Sequence, residues 1–88
     1  MYNVYGLNWC VFCVRAINLL HENSKDFSYN SMDGKDRILK YIKETYNHKT
    51  VPVITLETDG KEILIGGYDD LVKHIREQKD EESNNSNS

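Results

Sequence analysis

The sequence has few of the features that mark secreted, membrane-bound or nucleic-acid-binding proteins. Its 88 residues include two cysteines and one proline, and their formal net charge is −3. This acidic balance is the opposite of the basic surface that binds nucleic acids. No apolar run approaches the ~20 residues that cross a bilayer, and no basic segment followed by an apolar one opens the chain. We therefore expect one small cytoplasmic domain with no nucleic-acid or membrane partner, in a compartment that keeps thiols reduced.

The N-terminal third of the chain has strand and helix patterns in turn. Residues 1–6, MYNVYG, are aromatic and β-branched and end in glycine, which favours a short buried strand. Four residues then recur at i, i+3, i+4 and i+7, the spacing of one helix face. These residues are Cys13, Ala16, Ile17 and Leu20. The helix should end near Glu22 or Asn23, and residues 26–30, DFSYN, alternate as a second strand would.

A second helix is expected after a candidate capping residue. Asp33 is the predicted N-cap, and Asp36 would lie in the first turn, where a negative charge favours the helix dipole. The apolar spacing assigns four residues to the inner face of this helix. They are Ile38, Tyr41, Ile42 and Thr45.

The C-terminal half predicts a hairpin and a last helix. The segments TVPVITLE and KEILIGG have strand character, and Asp59-Gly60 between them is a strong signal for a tight hairpin turn. The last helix should begin near Tyr68 or Asp69. Its predicted buried residues are Leu71, Val72 and Ile75.

The element order β-α-β-α-β-β-α indicates an α/β fold. A strand–helix–strand unit places two strands side by side in parallel, and the hairpin adds an antiparallel pair. We therefore predict a mixed four-stranded sheet flanked by three helices within residues 1–78. Residues 79–88, KDEESNNSNS, contain no apolar side chain, so we predict that they form a disordered polar tail.

The two cysteines lie three residues apart in the stretch NWCVFCVRA, where the first strand gives way to the first helix. A thiolate at Cys10 would face unsatisfied backbone N–H groups and the positive end of the helix dipole, and both stabilise the anion. Cys13, one turn into the helix, could donate its S–H to Cys10 and form a disulfide with it. We therefore predict that Cys10 is an exposed nucleophile and Cys13 a more buried resolving thiol in thiol–disulfide exchange.

Two other uses of the cysteine pair compete with redox chemistry. A structural zinc ion needs four ligands, and the three histidines lack the paired spacing that would complete such a site. They are His21, His48 and His74. The cysteines could instead be inert core residues at helical spacing. Their position between a strand and a helix favours the redox interpretation over both.

Four features along residues 2 to about 77 resemble the dithiol class of the glutaredoxin family. They are VYG…CVFCVRA, the TVP triplet, the IGGYDDL stretch and the element order. The resemblance implies a thioredoxin-like fold and a glutathione-dependent thiol–disulfide oxidoreductase with a redox-active Cys10–Cys13 disulfide. Glutathione would serve as the reductant, disulfide-bearing proteins would be the substrates, and we expect a monomer.

The resemblance also implies a glutathione pocket beside the cysteines. A cis proline at Pro52 would leave the backbone N–H and C=O of Val51 free to pair with an extended substrate. Phe12 would flank the active sulfur. Lys49, next to the TVP triplet, would offer a positive charge to the thiolate or to the glycine carboxylate of glutathione.

The other half of this pocket would lie at the start of the last helix. Paired glycines, Gly66 and Gly67, let the backbone turn sharply and approach a ligand, and a helix N-terminus offers N–H donors to a carboxylate. Asp70 would accept from the ligand ammonium, while Asp69 is expected to act mainly as the N-cap. The full set of predicted glutathione contacts is Phe12, Lys49, Thr50, Val51, Pro52, Gly67, Tyr68, Asp69 and Asp70.

Departures from the family pattern leave alternatives open. Val11 stands where proline is usual, and proline-free motifs in this family sometimes join two subunits through a [2Fe–2S] cluster with glutathione, as iron–sulfur carriers. Leu7 replaces the usual lysine or arginine, so Lys49, Lys40 or Lys43 would have to compensate. The motif CVFC is also close to that of redoxins that are reduced by thioredoxin reductase and serve ribonucleotide reductase. A binding module with incidental thiols is the remaining alternative.

Overall fold

The computed structural model describes the backbone of residues 1–86 and the side chains of residues 1–79. The order of its elements confirms the predicted β-α-β-α-β-β-α arrangement. They are β1 (Tyr2–Gly6), α1 (Val11–Glu22), β2 (Phe27–Ser31), α2 (Asp36–Thr45), β3 (Val53–Thr58), β4 (Lys61–Gly66) and α3 (Tyr68–Ser86).

The four strands form one mixed sheet in the order β2-β1-β3-β4. The β1–β2 pair is parallel, because α1 carries the chain back to the starting edge between them, and β3 lies antiparallel on the other side of β1. The β3–β4 turn has positive φ at Asp59 (52°) and Gly60 (77°), the backbone of a type I′ hairpin. The mixed four-stranded sheet with three helices is therefore confirmed. This order also places the chain segments before β3 and after β2 on opposite sides of β1.

The main core lies between the sheet and the helix pair α1 and α3. Its buried members are Tyr2, Val4, Ala16, Leu20, Ile54, Leu71 and Ile75. Burying one large aliphatic side chain contributes about 1.5–3 kcal/mol, so Leu20 on α1 and Leu71 on α3 both help to fix their helices on the sheet. The predicted inner faces of these helices are thus confirmed, with Ile17 and Val72 only half-buried at their margins.

The start of α2 differs from the prediction. Lys35 occupies its N-cap position and makes no side-chain capping hydrogen bond. Asp33 turns away from the helix, and its Oδ2 accepts a hydrogen bond from the backbone N–H of Asn8 at 3.1 Å. The predicted N-cap was therefore wrong, because this carboxylate is bound to the loop between β1 and α1.

The predicted inner face of α2 was also wrong. Leu39 is the buried residue of this helix, whereas Ile38 is 50% exposed and Tyr41 is 70% exposed. Leu39, Ile42 and Tyr46 share the i, i+3, i+7 spacing of a helix face, and this second stripe, which has Ile42 in common with the predicted one, is the less exposed of the two. The two stripes lie one residue apart, so spacing alone favours neither.

The last helix extends further than the sequence predicts. It continues to Ser86, although a disordered tail was predicted from residue 79. Residues 76–82, REQKDEE, are mostly good helix formers, so the loss of apolar residues does not by itself end the helix. The division into a domain of residues 1–78 and a separate tail stays a prediction, and residues 87 and 88 lie outside the described residues. Among the described helices, none has the length and apolar character needed to cross a bilayer.

Candidate active site

Cys10 is the N-cap residue of α1. Its backbone is extended (φ −82°, ψ 115°), and its Sγ accepts a hydrogen bond from the backbone N–H of Cys13 at 3.3 Å. Serine, threonine and aspartate usually fill this position with an oxygen, and here a sulfur does so. The prediction that this sulfur meets the free N–H groups of the helix start is confirmed.

The prediction that Cys10 is exposed was wrong. The residue is only 6% exposed. The cause is the loop before β3, since the thiol of Cys10 points at the carbonyl oxygen of Val51, 3.9 Å from Sγ. The sulfur is thus enclosed by the helix that carries it and by a segment far along the chain. Both cysteines are free thiols.

Cys13 is buried more deeply, as predicted. It is 1% exposed, and burial raises the pKa of its thiol to about 12, with a further contribution from its hydrogen bond to Cys10. Cys13 is therefore a protonated thiol near neutral pH, which suits a group that waits for a disulfide to form at Cys10. The space for its sulfur exists because Gly6, at the end of β1, has no side chain.

A cleft of about 390 Å³ is lined by Val51, the residue whose carbonyl faces the thiol of Cys10. Its lining residues are Phe12, His48, Thr50, Val51, Pro52, Gly67, Tyr68, Asp69 and Asp70. The structure therefore brings together every residue predicted for the glutathione pocket except Lys49. That residue lines a neighbouring depression, which it shares with Lys40 and Lys43.

His48 lines the cleft and was missed by the sequence analysis. Its Nε2 lies 3.3 Å from Oγ1 of Thr50. A signal was present, because residues two apart in an extended segment point to the same side, and Thr50 was already in the predicted set. The histidine had been considered only as a zinc ligand.

The middle of the cleft wall is the backbone at Val51. The Val51–Pro52 peptide is cis, as the resemblance implied. Within the described part of the chain, the N–H of Val51 makes no backbone hydrogen bond, and its C=O faces the thiol of Cys10. One free donor and one acceptor therefore lie beside the sulfur, as an extended peptide would need.

The far end of the cleft is the N-terminus of α3. The carbonyl of Gly67 accepts the first helical hydrogen bond, from Leu71 N–H at 3.0 Å, so Gly67 is the N-cap. The carboxylate of Asp70 reaches back and accepts from the Gly67 N–H at 3.0 Å. The prediction that Asp69 is the N-cap was wrong, because the capping carboxylate belongs to Asp70. Gly66, at φ +127°, leaves the space that this carboxylate occupies.

Aromatic rings join the two helices that border the cleft. Phe12 on α1 and Tyr68 on α3 have ring centroids 6.0 Å apart. The guanidinium of Arg15 lies 5.2 Å from the centroid of Phe12, within cation–π range. Phe12 remains 49% exposed, so it offers an apolar edge beside Cys10.

The described residues contain no group of three or more His, Cys, Asp and Glu side chains placed to hold a metal ion. The [2Fe–2S] alternative draws ligands from outside one chain. It therefore stays a prediction.

A four-stranded thioredoxin-like fold with a CxxC pair at the start of its first helix, faced by a cis-proline loop, defines a dithiol oxidoreductase.

Comparison with known proteins shows which family of dithiol oxidoreductases the chain belongs to. The glutaredoxin family model matches residues 3–63. A glutaredoxin from Pseudomonas aeruginosa is 34% identical over 68 residues, which cover 77% of this chain and 76% of the relative. The solution structure of the dithiolic glutaredoxin 2-C-Grx1 from Trypanosoma brucei brucei is 33% identical, with a TM-score of 0.70 over 89% of this chain and 79% of that one. The chain belongs to the glutaredoxin family, and it is a thiol–disulfide oxidoreductase.

Proposed function

We propose that glutathione is the reductant and the preferred mixed-disulfide partner of this oxidoreductase. The observation that carries the proposal is the course of the cleft, from the free backbone of Val51 beside Cys10 to the N-terminus of α3. Its volume of about 390 Å³ is within the range of small-ligand sites. An extended tripeptide with its sulfur at Cys10 would lie along this wall.

The two ends of the cleft differ in chemistry, as the two ends of glutathione do. The γ-glutamyl group carries both an ammonium and a carboxylate. The N-terminus of α3 offers N–H groups to the carboxylate, and Asp69 and Asp70 offer acceptors to the ammonium. Asp70 also holds the Gly67 N–H, so we propose that it both shapes this end and contacts the ligand.

The proposed reaction consists of successive thiol–disulfide exchanges. The Cys10 thiolate attacks the glutathione sulfur of a mixed disulfide, the substrate thiolate leaves, and Cys10 becomes bonded to glutathione. A second glutathione thiolate then displaces the protein and gives glutathione disulfide. With a protein disulfide, the substrate sulfur bonds to Cys10, and Cys13 displaces it to form the Cys10–Cys13 disulfide. Two glutathione molecules then restore both thiols.

One coupled assay tests the electron donor. Turnover of a glutathione mixed disulfide is followed with NADPH and glutathione reductase, and in parallel with thioredoxin reductase in place of glutathione and its reductase. We expect turnover with the first system and little with the second. The reverse pattern would favour the alternative that the CVFC motif suggests, a redoxin that is reduced by thioredoxin reductase.

Matched cysteine variants test whether Cys10 alone is sufficient for turnover of a glutathione mixed disulfide. Cys10→Ser should abolish turnover of the glutathione mixed disulfide, whereas Cys13→Ser should retain it, because glutathione can resolve the intermediate. Reduction of a protein disulfide should need both cysteines. Equal losses for the two variants with the glutathione substrate would contradict the one-cysteine route.

The proposals for the cellular location, the oligomeric state and the protein clients rest on the family resemblance. We propose a cytoplasmic monomer whose clients are disulfide-bearing proteins, with ribonucleotide reductase as a candidate. Size-exclusion chromatography with light scattering tests the monomer. A brown colour with visible absorbance after anaerobic purification would instead favour the [2Fe–2S]-bridged dimer.

A further inference from the structure

A polar cluster lies beside the sulfur pair, on the opposite side of β1 from Val51. Asp33, in the turn after β2, accepts hydrogen bonds from the backbone N–H of Asn8 at 3.1 Å and from the hydroxyl of Ser31 at 3.0 Å. The hydroxyl of Tyr29 donates to the side-chain oxygen of Asn8 at 3.1 Å. The cluster therefore ties β2 to the short loop that leads into Cys10. None of its members lines the cleft.

This cluster is also next to Cys13. Met32, the residue before Asp33, donates its backbone N–H to the carbonyl of Gly6 at 2.8 Å. Gly6 is the residue against which the sulfur of Cys13 packs, and the ring of Tyr29 borders the same point. Burial is the main reason that the pKa of Cys13 is raised, followed by its interactions with Cys10, and the negative charge of Asp33 makes a smaller contribution in the same direction.

We propose that Asp33 is a positioning residue that biases this oxidoreductase towards its one-cysteine route. Its hydrogen bond to Asn8 holds the loop that presents Cys10. Its charge disfavours a thiolate at Cys13, and so slows the step in which Cys13 displaces a bound thiol from Cys10. A mixed disulfide at Cys10 then lasts longer, which gives an external thiol time to resolve it.

The two steps can be followed separately with a symmetric aryl disulfide that releases a coloured thiolate. In the first step, the Cys10 thiolate attacks one aryl sulfur, the aryl S–S bond breaks, and one aryl thiolate leaves. In the second step, the Cys13 thiol loses its proton to solvent and attacks Cys10, the mixed disulfide breaks, and a second aryl thiolate leaves. Stopped-flow absorbance should therefore show two phases of equal amplitude. Cys13→Ser should show only the first.

The key variant is Asp33→Asn, since an amide oxygen can still accept from the Asn8 N–H but carries no charge. A charge at the protein surface typically changes a neighbouring equilibrium by up to about five-fold. We expect the second phase to be about two- to five-fold faster in Asp33→Asn at low salt, and the first phase to change less. In ~1 M salt, where the screening length is about 3 Å, the wild-type protein should approach the variant.

Two controls separate the effect of the Asp33 charge from the effect of its hydrogen bond to the Asn8 N–H. Asp33→Ala also removes the acceptor of the Asn8 N–H, so it should slow the first phase and speed hydrogen exchange at that amide. Asp36→Asn removes a carboxylate in the first turn of α2, which makes no hydrogen bond to the Cys10 loop, and both phases should remain as in the wild type. If Asp33→Ala does not fold, Asp33→Asn still decides the charge effect.

The proposal is overturned if Asp33→Asn leaves the second phase unchanged at low salt. It is also overturned if Asp36→Asn accelerates that phase equally, since the effect would then be one of net charge. Neither assay uses glutathione, so the result is independent of which reductant serves the protein.

Discussion

Gly6 lies so close to Cys13 that a Cβ atom added to the glycine would sit 2.6 Å from Sγ. The end of β1 and the first turn of α1 are therefore fitted to each other through one missing side chain. The backbone of Gly6 itself is ordinary strand. The position requires space next to the strand, and the sulfur of Cys13 fills that space.

Gly6→Ala should therefore destabilise the reduced protein by about 1–3 kcal/mol, the usual effect of overpacking a core. The same change in a Cys13→Ala background should cost much less, because the clashing sulfur is gone. Urea unfolding of the four proteins in this double-mutant cycle gives the coupling energy. Additive effects would show that the clash is relieved elsewhere.

Alkylation of Cys13 should require strongly alkaline conditions. In the Cys10→Ser variant we expect its rate with iodoacetamide to keep rising well above the free value of ~8.5 without a plateau, because burial, the main cause of the raised pKa of this thiol, is retained in the variant. The same variant unfolded in urea should titrate near the free value of ~8.5. A plateau in the folded protein near that value would contradict the burial argument.

Asp69 and Asp70 should differ in their effect on stability, although both line the cleft. Asp70→Ala removes the carboxylate that accepts the hydrogen bond from the N–H of the N-cap residue Gly67, so we expect a loss of about 1 kcal/mol in the free energy of unfolding. Asp69→Ala removes a first-turn charge without this hydrogen bond, and its loss should be smaller. Thermal unfolding of the two variants compares them directly, and equal losses would argue that the Asp70–Gly67 hydrogen bond does not stabilise the helix start.

His48 should matter more than Lys49 for a glutathione mixed disulfide. His48 lines the cleft and lies near Thr50, whereas Lys49 lies in the neighbouring depression. Loss of one hydrogen bond corresponds to about a two- to ten-fold rise in KM, which we expect for His48→Ala. Lys49→Ala should act through charge alone, so its smaller effect should vanish at high salt. A larger and salt-resistant effect of Lys49→Ala would reverse this ranking.

Tyr5 should make the protein less stable in alkali. Burial, and then the hydrogen bond to Glu62, raise the pKa of Tyr5 from 10.0 to about 12. Between these values the unfolded tyrosine loses its proton while the folded one keeps it. The free energy of unfolding therefore falls as pH rises from about 10 to about 12. Tyr5→Phe should flatten this decline, and Tyr41→Phe, at a 70% exposed position, should not; identical pH profiles for both variants would contradict the assignment.

Local signals were enough to predict most elements of this fold. Asp59-Gly60 specified its hairpin, because few residue pairs accept two positive φ angles in succession. The spacing of Ala16 and Leu20 specified the inner face of α1. For α2, two apolar stripes were available, and the burial of Leu39 rather than Ile38 depends on how the helix is oriented relative to the rest of the domain. Periodicity within the helix does not contain that information.

The candidate site shows the same division between local and distant causes. The helix-start position of Cys10 follows from its neighbours in sequence, and the capping hydrogen bond from Cys13 confirms it. The burial of Cys10 depends on Val51, and no local pattern around the CxxC pair indicates that enclosure. Asp33 was predicted as a helix cap from its position before α2. Its actual partner, Asn8, lies 25 residues earlier in the chain.

The separation of 41 positions between Cys10 and Val51 also has a consequence for synthesis of the chain. Chains grow at about 5–20 residues per second, so the sulfur pair would be made roughly 2 to 8 s before the loop that encloses it. During that interval the thiol of Cys10 lacks the carbonyl that faces it in the folded domain. The nascent chain is therefore the form of this protein in which Cys10 is least enclosed.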